Sequence, residues 1–235
     1  MHSDSKILNF AKSTTMIADQ IRKIKAEIPS DVKLVAVSKT KPNEDIMEAF
    51  AAGQRIFGEN KVQDIAAKAE ALTNEIEWHF IGHLQTNKVK YIAPFVSLIH
   101  AVDSFKLLKE INKQAKKNNR VISYLLQFHI GTEETKFGLN IMEAETILEN
   151  PNYQELQNIE IAGVMGMASY TNDKEQISRE FALLKNYFEQ LKGKYFQNHD
   201  SFKEISMGMS GDYTIAIEQG STMIRVGSSI FGARN

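Results

Sequence analysis

Between Val32 and Val226, short apolar runs rich in β-branched residues alternate with longer segments whose apolar residues recur at helical spacing. The run Val32-Lys33-Leu34-Val35-Ala36-Val37 is typical: it has strand length and little polar alternation, as expected of a strand covered on both faces. The pattern predicts strands over 32–37, 55–57, 77–81, 96–100, 121–129, 159–164, 204–206 and 223–226. Helices are expected over 43–52, 60–74, 85–93, 104–118, 141–150, 173–192 and 211–219, with Asn43 and Ser104 read as N-caps and Gly53 as a helix stop. A further helix, over 7–28, precedes the first strand, with Ile7, Leu8, Phe10, Met16, Ile17, Ile21 and Ile24 at helical spacings. Eight strands alternating with helices predict an α/β fold, a single (β/α)8 TIM barrel with an extra N-terminal helix. An open doubly wound sheet produces a similar string and stays as the alternative at this level.

Composition narrows the chemistry. The 235 residues allow one large domain or two small ones at roughly 150 residues each. No repeat, linker or low-complexity stretch divides them, and the four prolines fall near element boundaries, so 1–235 reads as one domain. A chain that is 43% hydrophobic and 24% charged is neither disordered nor fibrous. With 28 basic and 29 acidic residues the net charge is −1, which gives no overall excess for binding nucleic acid or an anionic membrane. The absence of cysteine removes disulfides, thiolate metal ligands, iron–sulfur clusters and cysteine nucleophiles. The opening Met1-His2-Ser3-Asp4-Ser5-Lys6 lacks the apolar core of a signal peptide. The longest apolar-rich stretch, 95–102, is broken by Ser97 and His100 and falls short of the roughly 18 residues of a membrane span. A cytoplasmic protein is expected.

In a barrel of this kind, chemistry gathers just after the C-terminal ends of the strands. Lys39 follows the first strand on the same alternation as Val35 and Val37, so its amine is placed to stand in the mouth, where burial favours Schiff-base chemistry. Position alone also fits a lysine that merely snorkels to solvent. The turn Ser206-Met207-Gly208-Met209-Ser210-Gly211-Asp212 and the segment Arg225-Val226-Gly227-Ser228-Ser229 close the seventh and eighth strands with small and hydroxyl residues. Loops after those strands are the usual phosphate site of the barrel, although either segment alone is equally a tight turn or a cap. There is no Gly-x-Gly-x-x-Gly fingerprint and no Walker pattern. His79 and His83 have the spacing of two metal ligands on a helix, but Phe80-Ile81-Gly82 reads as a strand entering a turn, so no metal site is assigned. The basic run 113–120 reads as a solvated helix end, and Met165, Met167, Met207 and Met209 read as packing.

Five segments, in order, closely resemble the pyridoxal phosphate homeostasis protein family. They are Ala36-Val37-Ser38-Lys39-Thr40-Lys41-Pro42; Phe57-Gly58-Glu59-Asn60-Lys61-Val62-Gln63; Trp78-His79-Phe80-Ile81-Gly82 with Leu84-Gln85-Thr86-Asn87-Lys88; Ser206-Met207-Gly208-Met209-Ser210; and Arg225-Val226-Gly227 through Phe231-Gly232-Ala233-Arg234. The resemblance runs from about Val32 to Arg234. It implies a barrel similar to the N-terminal domain of alanine racemase, with pyridoxal 5′-phosphate held as an aldimine on Lys39 rather than on the neighbouring Lys41. It further implies that Arg225 faces the pyridine nitrogen, that Ser210, Gly227 and Ser228 hold the phosphate, and that Asn60 and His79 line the ring pocket. Arginine does not readily give up a proton, so the ring is expected to stay largely unprotonated and to be a poor electron sink. The family commonly shows an acidic residue then methionine after the Ser210 motif, where this chain reads Gly211-Asp212-Tyr213.

Alanine racemases of this fold use a second domain and a second acid/base residue across a dimer interface, and no length for that domain remains after Asn235. The expectation is therefore a non-catalytic carrier in intracellular cofactor homeostasis, with no catalytic residue assigned. The expected partners are pyridoxal phosphate and apo-enzymes that use it, with no nucleic acid and no membrane, and the chain is expected to be a monomer. Two other readings keep the barrel: a racemase or lyase acting on small amino acids through the same lysine, and a sugar-phosphate enzyme or Schiff-base aldolase without the cofactor.

Overall fold

A computed structural model of the chain describes residues 4–132 and 137–232, with 4–15 described as backbone only. Eight parallel strands close on themselves in chain order. They are β1 (Lys33–Val37), β2 (Ile56–Glu59), β3 (Glu77–Phe80), β4 (Leu98–Val102), β5 (Ile122–His129), β6 (Ile159–Met167), β7 (Glu204–Met209) and β8 (Met223–Val226). The helices among the described residues are α1 (Asp4–Glu27), α2 (Asn43–Ala51), α3 (Val62–Ala71), α4 (Val89–Ile92), α5 (Phe105–Lys117), α6 (Ile141–Leu148), α7 (Lys174–Tyr195), α8 (Tyr213–Glu218) and α9 (Ser228–Phe231). The barrel is thus closed, not an open doubly wound sheet, and the extra helix α1 stands before its first strand.

Closure comes from β1 pairing with β8, with Val35 opposite Arg225 and Ala36 opposite Val226. Parity then decides the layers. Val35, Leu98, Leu125, Met165 and Met223 form a small apolar cluster, while Ala36, Phe57, Phe80, Ile99 and Val164 belong to the larger core that also includes the helices. α5 places Leu107, Leu108, Ile111 and Ala115 in that larger core, and Ser104 caps it as expected, accepting from the Leu107 N–H at 3.3 Å. The apolar residues Ile17, Ile21 and Ile24 of α1 are buried; Met16 is exposed, and Ile7, Leu8 and Phe10 lie outside the described side chains. No helix among the described residues is long and apolar enough to cross a membrane.

Several boundaries differ from the sequence reading for local reasons. Asn43 is not a cap but the first residue of α2, because Pro42, extended at φ −70° and lacking an N–H, takes the cap position. α3 begins at Val62 rather than at 60, and Asn60 lies in the turn beneath Gly82, where a Cβ on Gly82 would collide with the Asn60 carbonyl. The segment expected as a helix over 85–93 is a 3-10 turn, Thr86–Lys88, followed by the short α4. Gly163 lets β6 approach β7 so closely that a Cβ there would overlap the Glu204 carbonyl.

Candidate functional site

The last strand supplies the most buried cation. Arg225 is 4% exposed, and its Nη1 donates to Ser206 Oγ at 2.6 Å while Nη2 donates to the Gly166 carbonyl at 3.1 Å. Ser206 Oγ also lies 3.0 Å from His100 Nδ1, and His100 Nε2 lies 3.0 Å from His79 Nδ1. One assignment fits all three contacts: Arg225 donates to Ser206, the Ser206 hydroxyl to His100 Nδ1, and the His100 Nε2–H to His79 Nδ1. Four buried polar side chains from β3, β4, β7 and β8 thus form one directional chain.

Burial sets the charge state of this chain. Desolvation, with a small push from Lys33, lowers His79 to about 3, and His100 is also pushed well below its ordinary value by burial and by His79 and Arg225. Both imidazoles are neutral near pH 7. Desolvation lowers Arg225 to about 10, against an opposing pull from Asp212, so the guanidinium keeps its proton at neutral pH. Asp212, raised by burial, accepts the Met209 N–H at 2.5 Å with Oδ1 and tightens the turn after β7.

Next to this chain, the loops after β7 and β8 meet. The Gly227 N–H donates to Ser210 Oγ at 3.2 Å, and a Cβ on Gly227 would stand 3.2 Å from the Val37 carbonyl, so the β8 loop passes tightly against the end of β1. Ser228 follows at once as the first residue of α9, a helix that the sequence reading missed. Ser210, Ser228 and Ser229 share the wall of a cavity of about 460 Å³ that extends under α1 to Lys23.

Lys39 is half-buried two residues beyond β1, beside that junction. Its neighbour Lys41 donates from Nζ to the Phe231 carbonyl at the end of α9, at 2.8 Å. Lys39, Ser210, Arg225, Gly227 and Ser228 are therefore gathered at the seam where the barrel closes. His79 joins them from below through His100, whereas the Asn60 side chain is exposed at the rim. Gly58, opposite Val37 on one side and His79 on the other, has no room for a side chain, since a Cβ there would fall 2.9 Å from Val35 Cγ1.

The remaining candidates separate. His83, unlike buried His79, sits at the rim stacked on Phe137, ring centroids 4.0 Å apart, with its Nδ1 3.7 Å from Asp103. No cluster of three metal-ligating residues occurs among the described residues. Arg120, at the end of the basic run, donates to the Ala93 and Val96 carbonyls, which ties α5 to the turn before β4. Met165 and Met207 are packed, but Met209 is 38% exposed, so packing does not account for it. Ala233 and Arg234 lie outside the described residues. His100 was not singled out, and Ser206 was named only as the first residue of the turn after the seventh strand, although each is a polar residue in an apolar strand.

Comparison with known proteins fits this geometry. The alanine racemase N-terminal domain family matches residues 13–235. A pyridoxal phosphate homeostasis protein of Aquifex aeolicus is 42% identical over 204 residues, covering 86% of this chain and 87% of its own. The chain belongs to the pyridoxal phosphate homeostasis protein family. The human pyridoxal phosphate homeostasis protein is 38% identical over 234 residues, covering 93% of this chain and 84% of its own. The solved structure of PipY from Synechococcus elongatus with PLP bound is 34% identical, with a TM-score of 0.84 over 92% of this chain and all of that one. As a member of the pyridoxal phosphate homeostasis protein family, the chain carries its matched domain as a closed barrel with the eight strands in chain order.

Proposed function

We propose that this chain holds pyridoxal 5′-phosphate through Lys39 and releases it, serving cofactor homeostasis inside the cell rather than turning over a substrate, with 1–235 acting as one cofactor-binding domain. The observation that carries the reading is the seam itself, which brings half-buried Lys39, the bonded Ser210 and Gly227, and a buried guanidinium to the joint of β1 and β8. Two observations support the fit: the Gly227 backbone lies where a side chain would be crowded, and Ser210 and Ser228, hydroxyl residues of the kind that bind anions, line one cavity. In this assignment Ser210, Gly227 and Ser228 take the phosphate, Arg225 faces the pyridine nitrogen, and Asn60 and His79 border the ring. The bound cofactor supplies an aldehyde that condenses with an amine, and a ring that withdraws electrons when its nitrogen is protonated.

The chain's own residues favour holding over turnover. Arg225 retains its proton at neutral pH and so does not protonate the ring nitrogen. His79 and His100 are neutral near pH 7, and both ring nitrogens of His100 are taken up by His79 and Ser206, so His100 is not free to exchange protons with a substrate. Cofactor-requiring apo-enzymes would be the recipients on release. A racemase or lyase draws on one contrary feature, the exposed His83 imidazole beside Asp103 at the rim, an acid/base pair of the kind that turnover needs.

The test is absorption spectroscopy of the full chain with pyridoxal phosphate, then borohydride reduction and peptide mass spectrometry. A reduced adduct on Lys39, lost in Lys39→Ala and kept in Lys41→Ala, is expected. An adduct on another lysine overturns the assignment, and absence of any adduct with binding of a sugar phosphate favours the cofactor-free enzyme. Racemisation of alanine or serine above a Lys39→Ala control favours the racemase.

A further inference from the structure

A buried ionic cluster lies behind Lys39 and is used by none of the roles above. Glu59, at the end of β2, is fully buried, and its Oε1 accepts from Ser38 Oγ at 2.6 Å and from Lys68 Nζ at 2.7 Å. Lys68 reaches in from the last turn of α3 and also donates to the Ser38 carbonyl at 2.9 Å. That carbonyl accepts the Lys41 N–H at 3.0 Å, closing a four-residue turn in which Lys39 is second and Thr40 third. Thr40 is held at φ +66°, a left-handed conformation that is uncommon for a β-branched residue and persists only where its surroundings enforce it.

Ser38 is therefore fixed through every polar group it has. Its N–H donates to the Gly58 carbonyl at 3.1 Å, its hydroxyl to Glu59, and its carbonyl is held by Lys68 and Lys41. The arrangement is a poor investment in stability. Glu59 Oε2 is buried without a hydrogen-bond partner, and a buried ion pair is often no more stabilising than apolar residues of the same volume. What the cluster does achieve is placement, because the residue it immobilises is bonded directly to Lys39.

We propose that Glu59 and Lys68 are positioning residues for Lys39: they clamp Ser38, hold the strained Ser38–Lys41 turn, and so aim the Lys39 amine at the seam. The proposal rests on the assignment of Lys39 as the residue that takes the cofactor. A purely structural tie between α3 and β2 would instead lower stability without altering Lys39 in protein that remains folded.

The test uses Glu59→Gln, Lys68→Arg, and a control destabilised elsewhere, Leu148→Ala, all in the full chain. Two quantities are read: deuterium uptake of the peptide containing Ser38–Lys41 in cofactor-free protein, and the rate of borohydride-trapped attachment of pyridoxal phosphate at Lys39. Glu59→Gln is expected to raise uptake in the turn and slow attachment about tenfold, as for a misplaced reacting group. Lys68→Arg should retain most of the rate, and Leu148→Ala should change neither quantity. Folded Glu59→Gln with normal uptake and rate overturns the proposal. If that variant does not fold, the double variant Glu59→Gln with Lys68→Met, which leaves no bare charge, is read in the same way. If wild-type protein forms no adduct at Lys39, the cofactor assignment fails, and uptake alone decides the clamp: raised uptake supports it and unchanged uptake overturns it. If wild type and variants attach at equal rates, the cofactor assignment stands and the positioning role fails.

Discussion

Nη1 of Arg225 donates to Ser206 Oγ across 2.6 Å, making the hydroxyl of one strand the link between the buried guanidinium and two neutral histidines. Replacing Ser206 with Ala removes one acceptor from Arg225 and one partner from His100 together. The variant is expected to lose about 2 kcal/mol of stability, in the range for buried polar groups left unpaired. Urea denaturation checks this, with a lower midpoint and an unchanged slope as the expected result.

The two histidines make stability depend on pH in a defined direction. His79 falls to about 3 in the folded chain from 6.5, and His100 shifts the same way, so the unfolded chain binds more protons below pH 6.5. Their contribution is complete above pH 6.5 and is lost as pH falls toward the folded values, at about 1.4 kcal/mol per pH unit for each group once its unfolded form is protonated. Asp103 and Asp212, both raised by burial, act in the opposite sense nearer their own range, so the window from pH 6.5 to 5 is the informative one. Unfolding curves across that window should show the decline, and His79→Gln should flatten it.

Lys41 offers a control on the assignment of the amine. Its Nζ bonds the Phe231 carbonyl, so Lys41→Met is expected to cost about 1 kcal/mol while leaving attachment of pyridoxal phosphate at Lys39 in place. Thermal unfolding and peptide mapping of the reduced protein read the two effects separately.

Glycine matters at one strand far more than at one loop. Gly163→Ala would drive a methyl into the Glu204 carbonyl between β6 and β7, and a loss of at least about 3 kcal/mol is expected. Gly211→Ala meets no atom within 4 Å and should stay within about 0.5 kcal/mol of wild type. Soluble yield and urea midpoints compare the pair.

The barrel was legible in the chain because its strands are covered on both faces, so runs such as Val32 to Val37 and Val121 to His129 carry an apolar signal that needs no partner to interpret. The strand-end placement of Lys39, Ser210, Arg225 and Gly227 was legible because each sits in a compact local motif. The links between them were not. His100 and Ser206 touch although 106 residues apart, and neither segment carries a mark of the other. Glu59 lay inside a quoted motif without an assigned purpose, while Lys68 is one lysine on an amphipathic helix whose direction only packing reveals. The helix starts were misplaced by one or two residues where Pro42 and Gly82 impose contacts that capping preferences do not encode.

Closure of the sheet between its first and last strands has a consequence for biosynthesis. The contact from Lys41 to Phe231 spans 190 residues, and Arg225, Gly227 and Ser228 emerge from the ribosome long after Lys39. A nascent chain exposes Lys39 early but completes the seam around it only when synthesis of the described barrel is nearly finished. Capture of the cofactor at this seam would therefore report that translation has run through the eighth strand.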